Sequence, residues 1–237
     1  MCKLYREKEV LFALLWIIAY CFVMTPLKGK YGYGSAVMML ALAVFAVSVF
    51  LFVKRNHLEQ KYGLSGWPKD MKRYLYFLPM FILATGNLWD GFALSYRGTE
   101  LVIAVISMIL IGFIEEMIFR GFLFRAMLAK DKPAVAVTVV SLTFGIGHIV
   151  NLFAGQGGLE TALQVVFAVS WGFMLTMAFY KSGSLLPSIV VHAMIDVFSL
   201  FGAESGIMDR IYIGVTVVTA VIYCIYLSRL KENRLKA

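Results

Sequence analysis

Charged residues are scarce in this sequence: they make up 15% of the chain, whereas soluble domains carry about 25%. Hydrophobic residues reach 61%, and the mean hydropathy is +0.81. This imbalance excludes a soluble globular domain and indicates lipid as the solvent. The apolar runs approach or exceed the ~20 residues that a helix needs to cross a bilayer, and the short alternating segments of barrel strands are missing. The sequence therefore predicts an all-α integral membrane protein.

Cysteine is also rare, and its three positions show no pair spacing: Cys2, Cys21 and Cys224. This excludes a disulfide framework and a zinc knuckle. The formal net charge is +8, but no basic stripe is interleaved with exposed aromatic residues, so we expect no nucleic-acid partner. The positive charge indicates contact with anionic lipid in the bilayer instead.

Hydropathy predicts a bundle of about eight transmembrane helices with a buried polar cavity, built as one polytopic domain over residues 1–237. The first span is longer than the apolar core of a secretory signal, so we expect an uncleaved helix. The longest loop, residues 54–73, is expected to lie at the cytoplasmic interface, anchored by Tyr62 and Trp67. The predicted spans are Val10–Leu27, Ser35–Val53, Tyr74–Leu94, Glu100–Leu128, Pro133–Phe153, Glu160–Tyr180, Leu185–Phe201 and Ile207–Leu227.

Basic residues are distributed unequally between the two sets of loops that these spans define. With the amino terminus inside, the cytoplasmic segments hold Lys3, Arg6, Lys8, Lys54, Arg55, Lys61, Lys69, Lys72, Arg73, Lys130, Lys132, Lys181, Arg229, Lys231, Arg234 and Lys236. The opposite side holds Lys28, Lys30, Arg97 and Arg210. The positive-inside rule then predicts that both termini are cytoplasmic. We expect the membrane to be a bacterial plasma membrane.

Ionisable residues inside the apolar spans mark the expected functional site. A charged side chain at the bilayer centre costs about 2.5–3.5 kcal/mol on insertion scales, so it persists when it is paired, hydrated or functional. At 1.5 Å per residue, Glu115, His148, His192 and Asp196 lie about 16–24 Å from the basic residues at the cytoplasmic edge of their own spans. These four residues are therefore expected at a common depth, in one site.

Two adjacent carboxylates on the fourth span are expected to have different tasks. Glu116 and Arg120 are four residues apart and share a helix face, so Arg120 should neutralise Glu116. Glu115 points about 100° away and has no cation on its own helix. Glu115 is therefore the candidate general base, and Glu116 and Arg120 are expected to support the site.

The histidines form the second half of the expected site. His192 and Asp196 are also four residues apart, so the carboxylate is expected to accept a hydrogen bond from one ring nitrogen and to orient the other. His148, taken alone, is typical of an interhelical packing residue. Asp90 falls near the outer end of the third span and is not expected in the site.

Four glycines are interpreted as contact points between helices. They are Gly112, Gly121, Gly145 and Gly147.

Three motifs in order along the chain resemble those of the CPBP family of intramembrane proteases, which includes the type II CAAX prenyl endopeptidases and bacterial bacteriocin-processing or immunity proteins. The motifs are Glu115-Glu116 with Arg120, Phe144 with His148, and His192 with Asp196. They lie in a motif-bearing core of about residues 100–201. The resemblance implies an eight-helix bundle whose central cavity opens to the cytosol and the membrane.

The resemblance also implies a function, the hydrolysis of a peptide bond in a membrane-associated peptide or protein. Glu115 and His148 would activate the attacking water, and His192 with residue 196 would stabilise the oxyanion. Well-known members have asparagine where this chain has Asp196, and an ionised aspartate cannot donate a hydrogen bond to an oxyanion. Asp196 is then either protonated or serves to orient His192.

Two alternatives remain open at the level of sequence. Glu115, His148, His192 and Asp196 are an acceptable ligand set for zinc or another divalent metal, although the absence of a His-Glu-x-x-His helix favours a glutamic mechanism without a metal. The buried charges would also suit a transporter, or a chaperone-like or immunity protein, in which they form a substrate or proton path. The sequence does not indicate the substrate.

Overall fold

The computed structural model describes residues 2–68, 75–203, 206–230 and 235, and within them the chain is a bundle of α-helices. The helices are α1 (Cys2–Glu7), α2 (Glu9–Tyr31), α3 (Ala36–Arg55), α4 (Leu78–Ala84), α5 (Gly98–Glu115), α6 (Arg125–Leu128), α7 (Pro133–Gly147), α8 (Gly158–Ser182), α9 (Leu186–Ser199) and α10 (Gly206–Arg229). A π-helical segment, Glu116–Phe124, joins α5 to α6, and 3₁₀ turns, Thr85–Leu88 and His148–Ala154, extend α4 and α7.

Six of the resulting helices are long and apolar enough to cross a membrane. They are Glu9–Tyr31, Ala36–Arg55, Gly98–Leu128, Pro133–Ala154, Gly158–Ser182 and Gly206–Arg229. Large apolar side chains such as Phe22, Val44 and Ile222 are exposed on their outer faces, as expected for contact with lipid. The predicted all-α membrane bundle is confirmed.

The other two predicted spans are short. The predicted span Tyr74–Leu94 corresponds to an apolar helix over Leu75–Leu88, with Tyr74 itself outside the described residues, and the predicted span Leu185–Phe201 to Leu186–Ser199. The first of these helices ends where Asn87 turns inward and its side-chain amide donates to the Ile195 carbonyl oxygen at 2.9 Å. The chain that follows is held by backbone bonds from Ala93 and Ser95 to the segment after α9. Apolar composition alone therefore overestimated the length of this helix.

The loop after α3 also differs from the expectation. Tyr62 is buried, and its hydroxyl donates to the Tyr5 hydroxyl at 3.2 Å, so this residue belongs to the core and is not an interfacial anchor. Trp67 is exposed, as an interfacial residue would be, and residues 69–73 of the loop lie outside the described part of the chain. The Gly63 carbonyl accepts from Leu185 N at 2.9 Å and thereby ties the loop to the start of α9.

Glycines bring neighbouring helices into backbone contact on the elements that carry the motif residues. A Cβ on Gly112 of α5 would lie 2.9 Å from Ala193 N and 3.0 Å from Ala193 Cα of α9. Gly145 of α7 is in similar contact with the α8 backbone. Gly147 and Gly121 make no such contact with another helix backbone, so only two of the four expected glycines are sites of close approach.

We predict that Gly112→Ala destabilises the bundle. Overpacking costs about 1–3 kcal/mol, which outweighs the gain of about 1 kcal/mol from replacing glycine inside a helix. The control is Gly214→Ala on α10, because a Cβ there meets no atom within 4 Å. Thermal unfolding in detergent should show a lower midpoint for Gly112→Ala and an unchanged or higher midpoint for Gly214→Ala. Equal midpoints would show that the α5–α9 contact does not limit stability.

Candidate active site

A fully buried ion pair lies at the junction between α5 and the π-helical segment. Glu115 is the last residue of α5, and Glu116 is the first of the π-helical segment. Arg120 Nη1 donates to Glu116 Oε1 at 2.9 Å, and both side chains have zero exposure. The structure therefore pairs Glu116 with Arg120, as their spacing predicted. π-Helical turns within helices occur frequently at functional sites.

Arg120 connects this segment to two further helices. Its Nε donates to Thr176 Oγ1 of α8 at 3.3 Å, and its guanidinium lies 4.1 Å from the centre of the Phe144 ring of α7. A cation over an aromatic face is favourable, and more so when it is desolvated. The phenylalanine of the second motif is therefore a packing partner of the arginine of the first.

His192 of α9 is oriented by Glu116. Its Nδ1 lies 2.8 Å from Glu116 Oε1, and a carboxylate oxygen accepts, so this nitrogen carries a proton. Asp196 was expected to orient the ring, but its Oδ2 lies 3.6 Å from the other nitrogen, Nε2, beyond hydrogen-bonding range. The expected role of Asp196 is therefore corrected. A contact between different helices determines the ring orientation, because Glu116 lies closer to the His192 ring than Asp196 does, although Asp196 is on the same helix as His192.

The free nitrogen of His192 faces two carboxyl groups. Nε2 lies 3.8 Å from Glu115 Oε2 and 3.6 Å from Asp196 Oδ2. Asp196 Oδ2 is buried and has no hydrogen-bond partner among the described residues. The side chains of Glu115 and Asp196 are 14% and 23% exposed, whereas the Glu116–Arg120 pair is fully buried. This part of the cluster is therefore accessible to water or a substrate.

His148 is held in one tautomer by its own helix. It follows directly after α7, and its Nδ1 lies 3.0 Å from the Phe144 carbonyl oxygen. A carbonyl oxygen only accepts, so Nδ1 is protonated and Nε2 retains its lone pair while the ring is neutral. The imidazole can therefore accept a proton at Nε2.

Tyr20 is a site residue that the motifs did not reveal. Its hydroxyl, on α2, donates to Glu115 Oε1 at 3.1 Å, across 95 positions of sequence. The bond leaves Oε2 of the carboxylate directed toward His192. A tyrosine inside an apolar span carries no sequence signal of this kind, so only the packing of α2 against the π-helical segment identifies it.

A cavity of about 230 Å³ joins the accessible residues. Glu115, His148, His192 and Asp196 all line it, and so does Tyr20. The structure thus brings together the four residues that the sequence analysis proposed for the chemistry. Glu116 and Arg120 lie behind the cavity wall.

The outer part of this cavity is polar. Lys28 Nζ donates to Asn151 Oδ1 at 3.0 Å, and the Asn151 amide donates to Gln164 Oε1 at 2.7 Å. Tyr33 lines the same region from the loop between α2 and α3. Burial, and then the negative charge of Asp196 and Glu115, raise the pKa of Tyr33 well above its usual range, so the hydroxyl stays protonated. This region therefore presents an ammonium group and several hydrogen-bond donors.

Other candidate residues behave differently. Asp90 is exposed in the turn after α4 and does not line the cavity. Cys21 lines the cavity, and Cys21 and Cys224 are free thiols. The described residues contain no group of three or more His, Cys, Asp or Glu side chains that could hold a metal ion.

Part of this chain resembles a known protein family. No curated protein matches the chain. Residues 97–198 match the family model described as type II CAAX prenyl endopeptidase Rce1-like. The matched region runs from the start of α5 to the end of α9 and contains all three motifs. This match supports the relationship to the CPBP family of intramembrane proteases that the three motifs predicted.

Proposed function

We propose that this chain is a glutamic-type intramembrane endopeptidase that hydrolyses a peptide bond in a membrane-associated peptide or protein. The family match supports an intramembrane endopeptidase activity in general. The observation that carries the residue assignment is the convergence of Glu115, His148, His192 and Asp196 on one cavity. Two potential proton acceptors and a histidine directed at the same space are what peptide hydrolysis requires.

In the proposed first step, a water molecule in the cavity attacks the scissile carbonyl carbon. Glu115 takes one proton from the water, assisted by Nε2 of His148, as the new C–O bond forms. The π electrons of the carbonyl move onto its oxygen, which becomes an oxyanion. His192 stabilises this charge through Nε2–H, which requires the doubly protonated ring, and before the water is deprotonated the Glu115 carboxylate 3.8 Å from Nε2 compensates the positive charge of the ring.

In the second step the tetrahedral intermediate collapses. The C–N bond breaks, the carbonyl re-forms, and the leaving nitrogen takes the proton from Glu115, so that the products are a carboxylic acid and an amine. Glu116 and Arg120 do not contact the reacting atoms in this scheme, since they lie behind the cavity wall. They position His192 through the bond at Nδ1, and Tyr20 positions Glu115.

Asp196 has a separate proposed role at the oxyanion. Its buried Oδ2 lies 3.6 Å from the histidine nitrogen that would donate, and it has no hydrogen-bond partner among the described residues. A protonated carboxyl group at this position donates a second hydrogen bond to the oxyanion. The same neutral state lets Asp196 lie beside Glu115 without repulsion between two charges.

We predict that Glu115→Gln abolishes cleavage in a protein that still folds. The substitution keeps the side-chain volume and the acceptor for Tyr20 but removes the base, and loss of general-base catalysis lowers rates by about 10²–10⁴-fold. Quantitative mass spectrometry of membrane peptides from cells that carry the parental protein or the variant measures the effect. If the peptide profiles of cells with the parental protein and of cells with Glu115→Gln differ from the empty-vector control to the same extent, the assignment of the base is contradicted.

The neighbouring variant Glu116→Gln separates chemistry from folding. It removes the charge that neutralises fully buried Arg120, and breaking a buried ion pair costs about 3–5 kcal/mol. We therefore expect Glu116→Gln to reduce the amount of folded protein in detergent, whereas Glu115→Gln should not. If the parental chain changes no membrane peptide at all, the buried charges serve a different function, such as transport.

Asp196 provides a third prediction. Asp196→Asn should retain substantial activity because an amide N–H donates to the oxyanion as a protonated carboxyl does, whereas Asp196→Ala should lose about 10²–10³-fold, the effect of removing one oxyanion donor. Cleavage rates measured at matched membrane levels test the difference. An equal collapse of both variants would favour ligation of a cation by Asp196, because an amide is a much poorer ligand than a carboxylate.

The catalytic type gives a fourth prediction. A glutamic mechanism should retain full activity after exhaustive chelation, and elemental analysis of the purified protein should find far less than one equivalent of zinc. Loss of activity on chelation together with stoichiometric zinc, both reversed by adding zinc back, would establish the metal-dependent alternative.

A further inference from the structure

The bundle has two ends that differ in character. We call the first the basic end; there α2 and α7 begin and α3, α8 and α10 end. Interactions between elements hold these termini together: Lys61 bridges to Glu9 at 2.7 Å, and Lys181 Nζ donates to the Leu230 carbonyl oxygen at 2.7 Å. We call the opposite end the cavity end; there α2 ends and α3, α5, α8 and α10 begin.

The site cavity extends from the middle of the bundle toward the cavity end. Its deepest lining residues are those of the motifs, such as His192 and Phe119. From there the lining continues along α2 to Lys28 and Tyr33, and along α9 to Ser199, which is exposed. None of the residues that line this cavity lies at the basic end. The cavity therefore opens on the side away from the basic end.

Basic residues are concentrated at the end that the cavity does not reach. Within the described residues, this end carries Lys3, Arg6, Lys8, Lys54, Arg55, Lys61, Lys130, Lys132, Lys181 and Arg229, and the cavity end carries Lys28, Lys30, Arg97 and Arg210. One of these four, Lys28, is directed into the cavity and bonds to Asn151. The unequal distribution of basic residues in the sequence is therefore also present between the two ends of the folded bundle. The positive-inside rule then places the basic end in the cytoplasm.

We propose that the substrate enters this site from the extracytoplasmic side of the membrane. The inference rests on the proposed endopeptidase function. It differs from the expectation that the family resemblance carries, of a cavity open to the cytosol, because a basic cytoplasmic end and a cytosolic opening are incompatible in this structure. The substrates are then exported peptides, or the extracytoplasmic segments of membrane proteins beside the bilayer.

The polar outer part of the cavity suits such a substrate. Lys28 and the Asn151 and Gln164 amides offer a cation and donors to the carbonyl oxygens or the terminal carboxylate of an extended peptide. A peptide that has crossed the membrane and lies at the outer interface reaches these groups first and the motif residues next. The order of groups along the cavity thus follows a path from the outer surface to the site.

The orientation is tested directly by thiol labelling of the full chain in intact bacterial cells. In a background with Cys2, Cys21 and Cys224 changed to serine, Ser199→Cys places a thiol at the exposed cavity end, and Gln60→Cys provides a matched exposed control near the basic end. A membrane-impermeant maleimide should label Ser199→Cys equally in intact and lysed cells, and Gln60→Cys only after lysis. The reverse pattern overturns the proposal. Glu160→Cys, exposed at the start of α8, provides a second reporter if Ser199→Cys does not fold.

The substrate side is tested by the positions of the cleavage sites. Peptides that appear with the parental chain and not with Glu115→Gln should have new termini in exported sequences or in extracytoplasmic segments of membrane proteins. Termini confined to cytoplasmic segments would overturn the proposal while leaving the endopeptidase function intact. Absence of any such peptides would reject the endopeptidase function, and the labelling result would still determine which side the cavity faces.

Discussion

The structure depends on the neutralisation of one arginine inside the membrane. Arg120 is fully buried, so its charge must be balanced locally, and Glu116 one turn away balances it at 2.9 Å. The same carboxylate oxygen accepts from His192, so the pair also determines where the histidine of α9 points. Phe144 and Thr176 contact the guanidinium from α7 and α8, so this one charge organises three further helices around the cavity. The stability of the bundle and the orientation of the proposed oxyanion-binding group therefore depend on one ion pair.

Close helix packing provides the second condition for the site. Gly112 allows the α5 and α9 backbones to meet beside Ala193, and this contact places Glu115 and His192 within 3.8 Å of each other. A lipid environment supplies no hydrophobic force between helices, so close backbone approach and polar contacts have to hold them together. The site combines both: a tight glycine crossing on one side and a buried ion pair on the other. The accessible carboxyl groups of Glu115 and Asp196 then lie in the cavity that the surrounding helices form.

The sequence predicted much of this site because several of the motif residues lie only a few positions apart on one helix. Residues four apart share a helix face, which was enough to pair Glu116 with Arg120, and ionisable residues in apolar spans identified His148, His192 and Asp196. The same reasoning failed for the orientation of His192, because Asp196 on its own helix lies farther away than Glu116 on another. It missed Tyr20 entirely, since a hydroxyl across 95 positions leaves no periodic signal. It also overestimated the span Tyr74–Leu94, whose polar turn at Asn87 bonds to α9.

Sequence by itself determined that the chain is an α-helical membrane bundle, that its motif residues lie in a segment that matches an Rce1-like family model, and that basic residues collect in alternate loops. These properties follow from composition, local periodicity and order along the chain, which do not require knowledge of how the helices pack. Only the tertiary structure decided which carboxylate orients His192, which residue supports Glu115, and toward which end the cavity opens. Each of these depends on the relative position of helices that are distant in sequence, and such positions arise only when the whole bundle balances its buried charges and packs its glycine contacts together.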